Sequence, residues 1–142
     1  MKLLLFFALV CALVLGTSFL PVAGATKDTK MQLATTKFVE PVTLMGKTLQ
    51  GEYLFVHDDA AMERGEACTS VYRGYAATAD KLVVRFHCAP VARQMAKHFT
   101  VRTKLTAPGR IELIEFQFGG SSEGHLVPID LETAYVDLVP HN

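Results

Sequence analysis

Two cysteines carry most of the chemistry this sequence offers. Cys68 sits in GEACTSVYRG and Cys88 in KLVVRFHCAP, and a thiol serves as half of a disulfide, as a metal ligand or as a nucleophile. Pairing the two segments antiparallel around Tyr75 to Asp80 sets Cys68 opposite Cys88, Ser70 opposite Phe86 and Tyr72 opposite Val84. Side chains alternate along a strand. That register therefore turns Cys68, Tyr72, Val84, Phe86 and Cys88 inward, and gives Thr69, Val71, Arg73, Val83, Arg85 and His87 a wetter face. Opposed residues of a non-hydrogen-bonded pair stand about 4.5 Å apart at Cα, a span a disulfide accepts. The expectation is a β-hairpin stapled by a Cys68–Cys88 disulfide.

Metal and thiol chemistry compete with that reading, because His57, His87 and His98 are within reach of the cysteines. Zinc sites favour ligand pairs a few residues apart, and neither cysteine has a second ligand at such an offset. Cys88, Met95 and His98 come in the wrong order for a blue-copper loop. Spacing thus assigns no metal, no cofactor and no catalytic residue, and leaves a metal carrier using Cys68, Cys88 and nearby histidines as an alternative. His98 is read as a half-buried packing histidine on a short helix that starts at Pro90 and carries Val91 and Met95 on one stripe.

Three further patterns look chemical and are explained more simply. Gly120, Ser122 and Gly124 match G-x-S-x-G, with Asp130 and His141 following in hydrolase order. A nucleophile elbow needs a helix after the serine, and Pro128 denies it. Ser122 and His125 are therefore expected to be dispensable residues of a Gly/Ser connection. Asp58, Asp59, Glu63 and Glu66 lack the alternation of a calcium loop and read as the cap of one helical turn ending at Gly65. Glu112 and Glu115 are separated by an odd number of positions, point to opposite faces and read as solvated strand residues.

The surrounding elements are mostly strands. The segments expected are residues 35–39, 42–44 and 52–57, then the cysteine hairpin, then residues 99–105 and 111–118 joined through Pro108-Gly109 as a type II turn. Pro41 makes the first two an edge or bulged pair. One or two last strands are expected between Leu126 and Val139. The fold class is all-β, an antiparallel β-sandwich or small barrel of about seven to nine short strands with one or two helical turns.

The phrase FVEPVTLMGKTLQGEYLF, Phe38 to Phe55, resembles the start of small secreted bacterial β-proteins of unassigned function, which carry a similar P-V-x-L-x-G-K-x-L…G-x-Y pattern. The resemblance implies an all-β exported chain and brings no catalytic residues.

Residues 1–25 combine Lys2, an uncharged apolar run and Ala23-Gly24-Ala25, the pattern of a secretory signal peptide that would carry away Cys11. Residues 26–142 then form a single domain, secreted or periplasmic, with no stable membrane insertion. Its 14 basic and 14 acidic residues in the whole chain balance, which gives no electrostatic footprint for nucleic acid. The function expected is a non-enzymatic binding or structural module with a protein or small apolar ligand as partner. The second reading is a barrel enclosing an apolar ligand.

Overall fold

The computed structural model describes residues 30–128. The signal peptide, Cys11, Asp130, His141 and the strands expected towards Val139 lie outside them. The chain folds into β1 (Met31–Leu44), β2 (Lys47–Asp58), α1 (Asp59–Glu63), β3 (Thr69–Arg73), β4 (Leu82–Phe86), β5 (Ala89–Ala92), β6 (Thr100–Ala107), β7 (Arg110–Gln117) and β8 (Glu123–Leu126), with a 3-10 turn at Ala79–Lys81. They make one 8-stranded sheet in the order β4-β3-β2-β1-β7-β8-β5, with β6 on β7. The all-β class is as expected from the alternating pattern.

The order of strands curls the sheet. Its two end strands, β4 and β5, are consecutive in the chain and separated only by His87 and Cys88, so the ends of the sheet are drawn back to one another. Neighbours pair antiparallel except β1 and β7, which meet in parallel at Thr43 and Glu112 alone. The concave side is filled by aromatic rings, among them Phe55, Phe86, Phe116 and Phe118.

Local chemistry explains the framework. β1 is a single long strand whose pairing with β2 breaks between Phe38 and Val42, around Pro41, which supplies no amide to a ladder. Asp58 caps α1 by accepting the Ala60 amide at 2.9 Å, and Gly65 follows in the left-handed region at φ 73°. Gly109, also at φ 73°, closes the β6–β7 hairpin as the Pro-Gly pair requires.

Three expectations are corrected. The helix expected from Pro90 is strand β5, because Pro90 lies on the end strand of the sheet opposite His125, where a missing amide is tolerated; Met95 and His98 follow in irregular, exposed chain. The cysteine hairpin is shifted by one residue: Thr69 pairs with Phe86 and Val71 with Val84, with an irregularity before Tyr72. Thr69 and Val71, expected on the wet face, are therefore fully buried. Glu115 is buried too, held by Arg93 through Nε at 2.8 Å and Nη2 at 2.7 Å.

Candidate metal centre

Along β2, the alternation Tyr53, Phe55, His57 turns all three side chains into the concave side, and each is almost wholly buried. β8 pairs with β7 so that His125 stands opposite Phe116, which places its ring on the same aromatic floor. Cys68 enters just before β3, and Cys88 lies in the bend between β4 and β5. Four separate parts of the curl thus bring two imidazoles and two thiols together, with His57, Cys88 and His125 converging and Cys68 joined to them through Cys88.

The distances are those of a cluster. Cys68 Sγ and Cys88 Sγ are 3.3 Å apart, and Cys88 Sγ is 3.5 Å from His125 Nδ1. Ligand atoms of His57, Cys88 and His125 all lie within 4.8 Å of one another, and all three residues are buried. The two imidazole rings are 4.3 Å apart at their centroids. Phe116 stacks on His125 at 5.0 Å and an interplanar angle of 17°, while Phe118 meets the same ring edge-on at 5.7 Å. The aromatic walls fix the His125 plane and exclude water.

The expected disulfide is corrected here. Both cysteines are free thiols, and 3.3 Å is well beyond the sulfur–sulfur bond length of about 2.05 Å. The one-residue shift explains it: the pairing Thr69 to Phe86 carries Cys68 towards His87 rather than directly opposite Cys88, so the sulfurs meet diagonally.

Electrostatics favour a shared proton between the sulfurs. The Cys88 thiol donates towards Cys68 and holds its pKa down, with the Cys88 amide at 3.4 Å adding a second donor; the same contact and burial push Cys88 up. Burial first, and adjacent His57 second, push His125 down to about 4. His125 is thus a neutral imidazole at pH 7, the form that binds metals.

Both imidazoles are incompletely satisfied. Among the described residues, the buried side-chain nitrogens and oxygens without a hydrogen-bond partner are His57 Nδ1, His57 Nε2 and His125 Nε2. Asp59 Oδ1 comes within 3.2 Å of His57 Nδ1 without hydrogen-bond alignment, and Glu123 Oε1 stands 4.0 Å from His125 Nε2. Each unpaired buried nitrogen costs about 1–3 kcal/mol.

The residues fit a thiophilic cation. In a tetrahedral S₂N₂ shell with metal–sulfur bonds near 2.3 Å and metal–nitrogen bonds near 2.1 Å, neighbouring ligand atoms stand roughly 3.4–3.8 Å apart. The sulfur–sulfur and sulfur–His125 distances come within about 0.5 Å of that range, and the His57, Cys88 and His125 ligand atoms, within 4.8 Å of one another, would close by up to about 1 Å on binding. Asp59 and Glu123 stand beside the imidazoles as carboxylates do behind ligating histidines.

Sequence spacing brought forward His57, His87 and His98; the fold takes only His57 of these, leaving His87 half-buried outside the cluster and His98 exposed. It missed His125, which the Gly-rich surroundings disguised as a turn residue. The signal for His57 lay in its place two residues beyond Phe55 on one strand face. Ser122 is exposed and is followed directly by β8, without the helix of a nucleophile elbow.

The fold and this cluster together define an all-β protein with a buried dithiol and bis-imidazole centre. No family model, curated protein or solved structure matches the chain.

Proposed function

We infer that the protein is an exported, non-enzymatic β-module that binds a thiophilic d-block cation, Zn²⁺ or Cu⁺, through Cys68, Cys88, His57 and His125. The observation that carries this reading is the convergence of buried ligand atoms of His57, Cys88 and His125 within 4.8 Å of one another, with Cys68 Sγ 3.3 Å from Cys88 Sγ. Sulfur and imidazole ligands in a closed tetrahedral array select Zn²⁺ or a soft monovalent ion over Mg²⁺ or Ca²⁺. A barrel for an apolar ligand is less well supported, since Phe55, Phe86 and Phe116 already fill the concave side without exposure. No helix of the described residues is long and apolar enough to cross a membrane. Export rests on the apolar N-terminal run and its small-residue cleavage pattern.

The test is a titration of the reduced, metal-free chain with Co²⁺ as a spectroscopic stand-in for Zn²⁺. Expected is one ion per chain with the intense visible bands of a tetrahedral thiolate complex, displaced by Zn²⁺ and abolished in Cys88→Ser. Spectra of hexaaqua-like cobalt alone, or equal binding by Cys88→Ser and His125→Phe, refute the reading.

A further inference from the structure

A groove of about 290 Å³ lies on the convex side of β2 and β3. Its walls include Val56, Ser70, Tyr72 and Arg85, which alternate along their strands with the buried Phe55, His57, Thr69, Val71, Val84 and Phe86. The cap residue Asp58 and the chain after α1 add a carboxylate and the Arg64–Glu66 ion pair. Cys68 forms part of the same wall, so one cysteine both borders the groove and touches its partner thiol at 3.3 Å.

We propose that Cys68 and Cys88 are a redox gate on the metal centre, oxidised by a small carboxylate-bearing disulfide that enters through this groove. The closing of the gate rests on the metal-binding reading; the oxidation itself does not. Arg85, steadied by its Nε bond to Ser70 Oγ at 3.0 Å, supplies the cationic atoms for a carboxylate of the incoming molecule, while Arg64 is held by Glu66 at 2.8 Å. The Cys68 sulfur attacks one sulfur of the disulfide R–S–S–R. The S–S bond breaks, one R–S⁻ leaves with the Cys68 proton, and a mixed disulfide remains on Cys68. The Cys88 sulfur then attacks the Cys68 sulfur, the mixed disulfide breaks, and the second R–S⁻ leaves with the Cys88 proton. Two protein thiols are oxidised by two electrons, and the small disulfide is reduced to two thiols.

The final bond requires the sulfurs to approach by roughly 1.3 Å, from 3.3 Å to about 2.05 Å. Cys68 is held at its carbonyl by the Asp58 amide at 2.9 Å, so the approach falls to Cys88, which lies in the β4–β5 bend outside the strand ladders. Once joined, neither sulfur is a thiolate, and the ligand set shrinks to two imidazoles. Reduced protein holds the ion; oxidised protein releases it.

Full-length reduced protein is incubated with oxidised glutathione, followed by intact mass, and then titrated with Co²⁺ before and after re-reduction. Expected is a product lighter by two hydrogens, a loss of Co²⁺ affinity exceeding about 100-fold, and recovery on reduction. In Cys88→Ser the glutathione adduct should be trapped on Cys68, and Arg85→Ala should slow oxidation of the otherwise native protein. Equal Co²⁺ binding by both redox forms overturns the gate and leaves the metal centre standing. Failure of the reduced protein to bind Co²⁺, with the disulfide still forming, removes the metal reading and the gate together. Glutathione that reacts only with denatured protein, or an adduct formed as readily on Cys88 in Cys68→Ser, overturns the groove as the route.

Discussion

Replacing His125 with phenylalanine separates the stability of this fold from its binding chemistry. The variant keeps a flat aromatic ring between Phe116, stacked at 5.0 Å, and Phe118, edge-on at 5.7 Å. It removes the buried, unpartnered Nε2, whose desolvation costs about 1–3 kcal/mol. Against that stand the lost 3.5 Å contact from Nδ1 to Cys88, a weak bond to sulfur, and the slightly larger ring. Together these subtract roughly 1 kcal/mol. The balance is a gain of about 1 kcal/mol in the metal-free protein, which is about 4 °C in melting temperature for a domain of this size. In excess Zn²⁺ the order should invert, because a ligand present at 100 times its dissociation constant adds about 2.7 kcal/mol to the wild type alone. Paired thermal melts in chelator and in Zn²⁺ read both effects. A variant less stable than wild type in chelator by about 2 kcal/mol or more shows that the nitrogen already had a partner. The same ranking in both buffers refutes the assignment of His125 as a ligand.

Other perturbations test the frame around the centre. Glu115→Gln should cost about 2 kcal/mol in urea unfolding, since it breaks a paired buried carboxylate whose guanidinium partner is partly exposed. Arg93 holds the Glu115 carboxyl below the usual carboxylate range, so the unfolded chain binds the proton more readily. Stability from this pair is therefore full above about pH 4.5 and lost as pH falls, and the acid limb of a pH–stability curve should flatten in Glu115→Gln. Gly124→Ala should cost about 1–3 kcal/mol by chemical denaturation, because its Cβ would stand 2.7 Å from Glu115 Oε1 and 3.2 Å from Val91 Cγ1. Phe116→Ala should cost about 3–5 kcal/mol in the same assay, since its ring supports Phe55, Phe86, Phe99 and His125 at once. Ser122→Ala, in an exposed bend, should change stability by less than about 0.5 kcal/mol.

The strands were legible because their signals are local. Alternation in Tyr53, Phe55 and His57, the Pro-Gly turn at Pro108-Gly109 and the aspartate cap at Asp58 each act within a few residues, and each appears in the fold. Register was not legible. A shift of one residue between β3 and β4 exchanges the buried and exposed faces, and nothing in the two segments alone distinguishes Cys68 opposite Cys88 from Thr69 opposite Phe86. The centre was hidden for a related reason. His57 and His125 are brought together by the long path β2-β1-β7-β8, and such pairings leave no spacing in the sequence. Glu115 has the sequence pattern of a solvated strand residue because its partner Arg93 comes from irregular chain just beyond β5, whose approach no local signal encodes.

The bend at His87 and Cys88 also divides the centre by separation along the chain. β2, β3 and β4 are successive antiparallel neighbours, so His57, Cys68 and Cys88 all come from the one stretch of residues 57–88. His125 comes from β8, which meets that stretch through its pairing with β5 and, at the other end of the sheet, through β7 and β1. Local opening of β8 alone would therefore uncover the centre and leave its other three side chains in place.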